Sequence, residues 1–280
     1  MSSDAYSSAP SGKYDVAPKS PDDDGVPRPQ YFAALNSFFE HPDWGNTLLL
    51  GSLCMLIPVI NNMIMFGYRY EIVEMKVRFP DQLYPKFDFN RFSQYLTRGI
   101  WPFLIDFVIQ FVINIPLQIS IWIMIGLGNL AGSSESRVLI VAVGIGIPLF
   151  ILLLIVFMIG LQVLLIPVTL RAGLSQDFGQ ALKFPWIKDF LRKVGLQALL
   201  FNLFLIAIGS VLVLAGYLAC CIGIIPVAFF LMGPVLAHYH GQLYRMYLAK
   251  GGEPIPLKPL QMEPAYSPPP PGPIPHQPPM

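Results

Sequence analysis

The sequence predicts an all-α fold: a polytopic helical membrane bundle of about five spans, with interfacial amphipathic helices and disordered proline-rich tails. Three observations point there. Of 280 residues, 54% are hydrophobic and only 12% charged, with a mean hydropathy of +0.55; soluble domains carry about 25% charge. Five apolar runs are long enough to cross a hydrocarbon core of about 30 Å, which needs about 20 helical residues. The prolines are unevenly placed: of 28, five lie in residues 1–29 and twelve in 254–279. A net charge of +1 argues against a nucleic-acid partner. Three cysteines, Cys54, Cys220 and Cys221, give neither a disulfide framework nor metal-ligand spacing.

In chain order, residues 1–29 read as a disordered tail, rich in Ser, Pro, Asp and Gly and too polar to bury a core. The opening residues lack the basic region and apolar core of a signal peptide, so the first internal apolar run is expected to start insertion. The helical transmembrane domain is expected over 30–250. Within 30–41, Tyr31, Phe32, Leu35, Phe38 and Phe39 share one helical face, as in a helix lying in the membrane interface. The spans are expected at about 47–66, 99–127, 138–166, 194–215 and 222–243. Pro58, Pro116, Pro148 and Pro226 fall inside four of them, which suits a packed bundle of kinked helices. Pro58 with Asn61 and Asn62 leaves a second reading of the first run, a re-entrant hairpin.

Between spans, 67–79 reads as a helix leaving the membrane, with Tyr68, Ile72, Met75 and Phe79 on one side and an i,i+4 pair, Glu74 and Arg78, on the other. Residues 182–194 read as a basic amphipathic helix. Its Lys183, Lys188, Arg192 and Lys193 are expected to meet anionic lipid, at roughly 1 kcal/mol per cation. Of the 18 basic residues, 14 lie in 67–98, 167–193 and after 243, which predicts a cytoplasmic side for those segments in the cell membrane. Residues 251–280, with Pro268 to Pro271 in sequence and a PxxP spacing at Pro256 and Pro259, read as a disordered proline-rich tail able to dock a cytosolic or membrane-protein partner.

Several short stretches carry a family resemblance. They are Phe38-Phe39-Glu40-His41-Pro42-Asp43-Trp44, Leu56-Ile57-Pro58, Gly67-Tyr68, Phe79-Pro80, Asp88-Phe89 and Gly99. In the second half they are Gln176-Asp177-Phe178-Gly179-Gln180-Ala181-Leu182 and His238-Tyr239-His240-Gly241-Gln242-Leu243-Tyr244. Over about 30–250 the chain resembles a prokaryotic multi-pass membrane family catalogued as domain of unknown function 4013. The resemblance implies a helical integral membrane protein and supplies no activity.

The sharpest intramembrane feature is on the second run: Asp106, Gln110, Asn114 and Gln118. Each four-residue step turns a helix by about 400°, so they form one slowly drifting stripe. An aspartate at mid-bilayer costs about 2.5–3.5 kcal/mol, so the stripe is expected to face inward, toward Asn61, Asn62, Gln162, and Gln197 or Asn202. Interhelical hydrogen-bond glue is the preferred reading. Positioning near the cytoplasmic edge and a substrate or ion pathway are the others. Small residues at Ala142 and Gly146, and at Ala215, Ala219 and Gly223, suit close helix contacts within the bundle or in a homo-oligomer. His41, His238, His240 and His276 form no HExxH, and Walker A, Gly-x-Ser-x-Gly and EF-hand patterns are absent. His238 and His240 read as interfacial anchors.

The leading expectation is therefore a non-enzymatic scaffold or membrane-organising protein, with lipid and protein partners and no cofactor. The alternative is a small-solute or ion transporter or channel component that uses the stripe. An intramembrane enzyme built on His238 and His240 ranks third.

Overall fold

The computed structural model describes residues 28–79, 83–133, 136–219 and 223–258, and among these every regular element is helical. The expected disordered tails fall almost wholly outside the described residues, as do Cys220 and Cys221. The helices are α1 (Ala33–Phe39), α2 (Trp44–Met55), α3 (Ile60–Arg78), α4 (Phe92–Ser133), α5 (Arg137–Ser175), α6 (Phe178–Ala181), α7 (Phe184–Leu218), α8 (Ile224–Phe230) and α9 (Leu236–Ala249). A π-helical turn, Leu231–Val235, joins α8 to α9 without interruption. Among the described residues, four helical stretches are long and apolar enough to cross a membrane: Phe89–Ser133, Ile140–Ser175, Phe184–Leu218 and Ile224–Ala249.

The first apolar run corrects the expected count. Pro58 has no N–H to donate and disfavours helix at the residue before it, so the run breaks between Met55 and Ile60 into α2 and α3. Val59 sits at φ 67°, ψ −55°, with the Ile60 amide bonded to the Pro58 carbonyl at 2.8 Å. That is a γ-turn of the strained kind. Helix α2, with 12 residues, is only about 18 Å long and packs chiefly on α8. Helix α3 packs chiefly on α4 and α9.

The other runs extend well past their expected ends. Helix α4 has 42 residues and α5 has 39, about 63 and 58 Å at 1.5 Å per residue. Pro102 and Pro116 lie inside α4, and Pro148 and Pro167 inside α5, without ending either helix. The basic amphipathic stretch at 182–194 is no separate helix, because α7 runs through it into the fourth apolar run.

Helix α3 is the centre of the molecule. From Ile64 to Glu74 only Phe66 is more than marginally exposed. Glycines allow this. A Cβ on Gly67 would collide with the Tyr95 carbonyl, and one on Gly99 with the Met63 carbonyl, so α3 and α4 cross backbone to backbone. Tyr68 packs among Phe87, Tyr95 and Phe229 and donates to the Pro85 carbonyl at 3.0 Å. Helix α1 forms where expected, but Phe38 turns inward against Phe230 and Tyr84, leaving Phe32 and Phe39 exposed.

The start of the expected C-terminal tail is also ordered against the fold. Ile255 is buried and its amide donates to the Tyr244 hydroxyl at 2.7 Å. The Trp186 indole donates to the Glu253 carbonyl at 2.9 Å. Residues 251–258 thus form a strap across α7 and α9, and the tail boundary moves beyond 258.

Candidate functional site: a charged cavity between the helices

The long helices line a partly open cavity of about 110 Å³. Each contributes polar groups: Arg69 from α3, Asp106 from α4, Gln162 and Thr169 from α5, Asn202 from α7, and His240 from α9. Leu165, Ile166, Phe201 and Leu236 are among the apolar residues completing its wall. At about 30 Å³ per water, this is room for about three or four waters.

Arg69 and His240 are buried, at 6% and 3% exposure. Arg69 is held in place by its surroundings. Its Nε donates to the Met232 carbonyl at 2.7 Å, within the π-helical turn that contains Pro234, and its guanidinium lies 4.8 Å from the Phe66 ring centre. Turns of this kind recur at functional sites because they expose backbone groups that a regular helix spends on itself. Asp106 lines the same cavity and feels the Arg69 charge, yet no ion pair within 4.0 Å joins the two among the described residues. The His240 ring stacks on Tyr70 with centres 6.1 Å apart, and its Nδ1 has no hydrogen-bond partner. The Asn202 amide nitrogen is likewise buried without one. Buried polar atoms are nearly always paired, and these two exceptions belong to residues that line one cavity.

The structure splits the expected polar stripe. Asp106 opens onto the cavity with Gln162 and Asn202, as expected. Asn114 instead donates back to Gln110, to its carbonyl at 2.8 Å and its side-chain oxygen at 3.3 Å, and Gln118 is exposed on the outer surface of α4. The 40° drift per step carries the lower members off the interface. Asn61 donates to the Met55 carbonyl at 3.2 Å and so stitches the broken first run. Neither Asn61, Asn62 nor Gln197 lines the cavity.

Of the polar cavity residues, Arg69 and Thr169 were not singled out in the sequence as site residues, and His240 was read there as an interfacial anchor or a third-ranked catalytic candidate. Arg69 belonged to a basic segment that reads as topology-setting, and His240 stood at the apparent end of the last span. A signal for Arg69 was its place beside Gly67, Tyr68 and Tyr70, a neighbourhood suited to close packing on both faces of α3. His238 partly keeps its anchoring place, with Nδ1 3.3 Å from the Ser37 hydroxyl.

A second charged cluster lies beside α3. Glu74 is 1% exposed and pairs with Arg78 at 2.6 Å and with Arg98; Glu71 pairs with Arg91 at 2.6 Å. The expected Glu74–Arg78 pair forms, but inside the protein. This cluster ties α3 to the start of α4.

The basic helix faces protein with its apolar side. Trp186 and Phe190 each sit 5.1 Å from the Tyr247 ring, and Ile187 and Val194 are buried. Lys183 pairs with Glu253 at 2.9 Å; Lys193 pairs with Asp189 at 2.8 Å and donates to the Gly251 carbonyl at 2.9 Å. Lys188 and Arg192 remain exposed. The four cations therefore divide into two that secure the strap and two that face outward. Of the small residues, Gly216 and Gly223 bring the ends of α7 and α8 together inside this chain.

The architecture defines a class: an all-α bundle built on helices apolar and long enough to cross a membrane, with buried charge at its centre. A protein-family model described as "Protein of unknown function (DUF4013)" matches residues 50–222, more than half the chain. The chain belongs to that family. No curated protein and no solved structure matches it.

Proposed function

We propose that this chain is a multi-pass protein of the cell membrane that binds a small polar solute inside its helix bundle, as a component of a transport device. One observation carries the reading: Arg69, Asp106 and His240, drawn from three helices, converge on one cavity between apolar helices. Charged groups at such depth are costly, and those retained usually serve a solute or proton path. Glue between helices, the reading preferred on sequence grounds, calls for direct pairing across the bundle; among the described residues no ion pair joins Arg69 to Asp106, which favours binding instead.

The reading is tested by cysteine labelling in oriented vesicles with a membrane-impermeant thiol reagent. Asn202→Cys is expected to react, and Phe107→Cys, on the exposed surface of α4, to stay inert. An unreactive position 202 in a folded variant would sink the proposal.

A scaffold role is supported by a separate observation, the strap. By holding residues 251–258 against α7 and α9, it fixes the point from which the proline-rich stretch departs. If deleting 259–280 removes the cellular phenotype while Asp106→Asn leaves it intact, the scaffold reading prevails over the solute reading.

A further inference from the structure

We infer that the solute is a small zwitterion, an amino acid with little or no side chain, its carboxylate on Arg69 and its ammonium on Asp106. The inference rests on the reading of the cavity as a solute site and names the chemistry that site selects.

The argument is one of charge and size. The cavity presents one guanidinium and one carboxylate, which sense each other across it but form no direct pair. Burying an ion costs several kcal/mol unless a partner and hydrogen bonds repay it. Arg69 donates to the Met232 carbonyl and Asp106 is hydrogen-bonded to Gln110, yet neither has an ion-pair partner among the described residues. A lone anion would satisfy Arg69 while facing Asp106, and a lone cation would do the reverse. Only a ligand bearing both charges satisfies both ends, and the mismatched end acts against the other two classes.

The neutral groups fit the same assignment. The Asn202 amide nitrogen is a donor without an acceptor, which a carboxylate oxygen supplies. His240 Nδ1 can serve as donor or acceptor according to tautomer, and Thr169, whose hydroxyl donates to the Leu165 carbonyl at 2.8 Å, lines the same cavity. The volume of about 110 Å³ suits a compact ligand such as glycine or alanine better than one with a phenyl or long aliphatic side chain.

The test is equilibrium binding of radiolabelled glycine to the full-length protein in lipid nanodiscs. Unlabelled alanine is expected to compete within a few fold of glycine. Acetate, methylammonium and phenylalanine should compete at least tenfold more weakly. Asp106→Asn should weaken glycine at least tenfold and raise acetate to the level of glycine, with an unchanged thermal midpoint showing that the fold is kept. Asn202→Leu, which removes the amide at nearly constant side-chain shape, should weaken glycine at least tenfold. Acetate or methylammonium competing as well as glycine in the unmutated protein overturns the zwitterion assignment, and so does glycine binding that ignores Asp106→Asn. Absence of saturable glycine binding also overturns it. In each of these cases, labelling at position 202 decides separately whether the solute site itself survives.

Discussion

Gly67 and Gly99 hold no chemistry, yet the cavity depends on them. Each lies where a Cβ would strike the carbonyl of the facing helix, Tyr95 or Met63. Gly99→Ala must push α4 away from α3, at about 2–3 kcal/mol, the upper part of the overpacking range, and a lowered thermal midpoint in detergent is the readout. Glu74→Gln leaves Arg98 buried with its charge unanswered. The expected loss is about 3–5 kcal/mol, and the double variant Glu74→Gln with Arg98→Met should recover much of it. His41, in the turn between α1 and α2, accepts the Asp43 amide on Nδ1 at 3.0 Å. Burial holds its pKa below the ordinary 6.5, against the opposing pull of Asp43 and with help from Lys86. The neutral form is thus the folded form, so its contribution is whole above pH 6.5 and fades as pH falls through the lowered value. His41→Gln should flatten the thermal midpoint over that acidic interval.

Among elements, the break at Pro58–Val59 and the strap make the clearest predictions. A β-branched residue at positive φ is strained, and Val59 is held there by the γ-turn. Val59→Gly should stabilise the protein by about 1 kcal/mol, the released strain exceeding the added flexibility of the unfolded chain; unchanged or lower stability would show that the turn is unstrained. Deleting 251–280 removes the cap over Trp186 and the acceptor for its indole and should lower the midpoint by several degrees. Deleting only 259–280 should leave it unchanged. These elements also show where the sequence was readable. Hydropathy located the cores of α4, α5, α7 and α9 because apolar length in a helix is a local property. It could not tell that Pro58 breaks a helix while Pro102, Pro116, Pro148 and Pro167 do not. That outcome depends on which neighbours satisfy the freed carbonyls. Nor could composition show that the apolar face of 182–194 is covered by Tyr247 and the strap.

At the scale of the whole molecule, the all-α class was plain from composition, whereas the site was half visible. Asp106 stood out because an acid in an apolar run has no bland explanation. Arg69 and His240 did not, since their burial arises from α3 and α9 packing together, a contact between residues more than 160 apart. Fractionation tests the scale directly: the chain should remain in the membrane pellet after alkaline carbonate extraction and leave it only with detergent. The central position of α3 has an outcome for biosynthesis. It carries Arg69, Glu71 and Glu74, and an ionised side chain alone in lipid is disfavoured by about 2.5–3.5 kcal/mol. Its counterparts come later in synthesis: Arg91 and Arg98 on the way into α4, and Met232 near the end. The earliest charged helix must therefore wait at the lipid boundary until its companions emerge, so chains halted before α4 should leave Glu71→Cys open to aqueous thiol reagents, and finished chains should shield it.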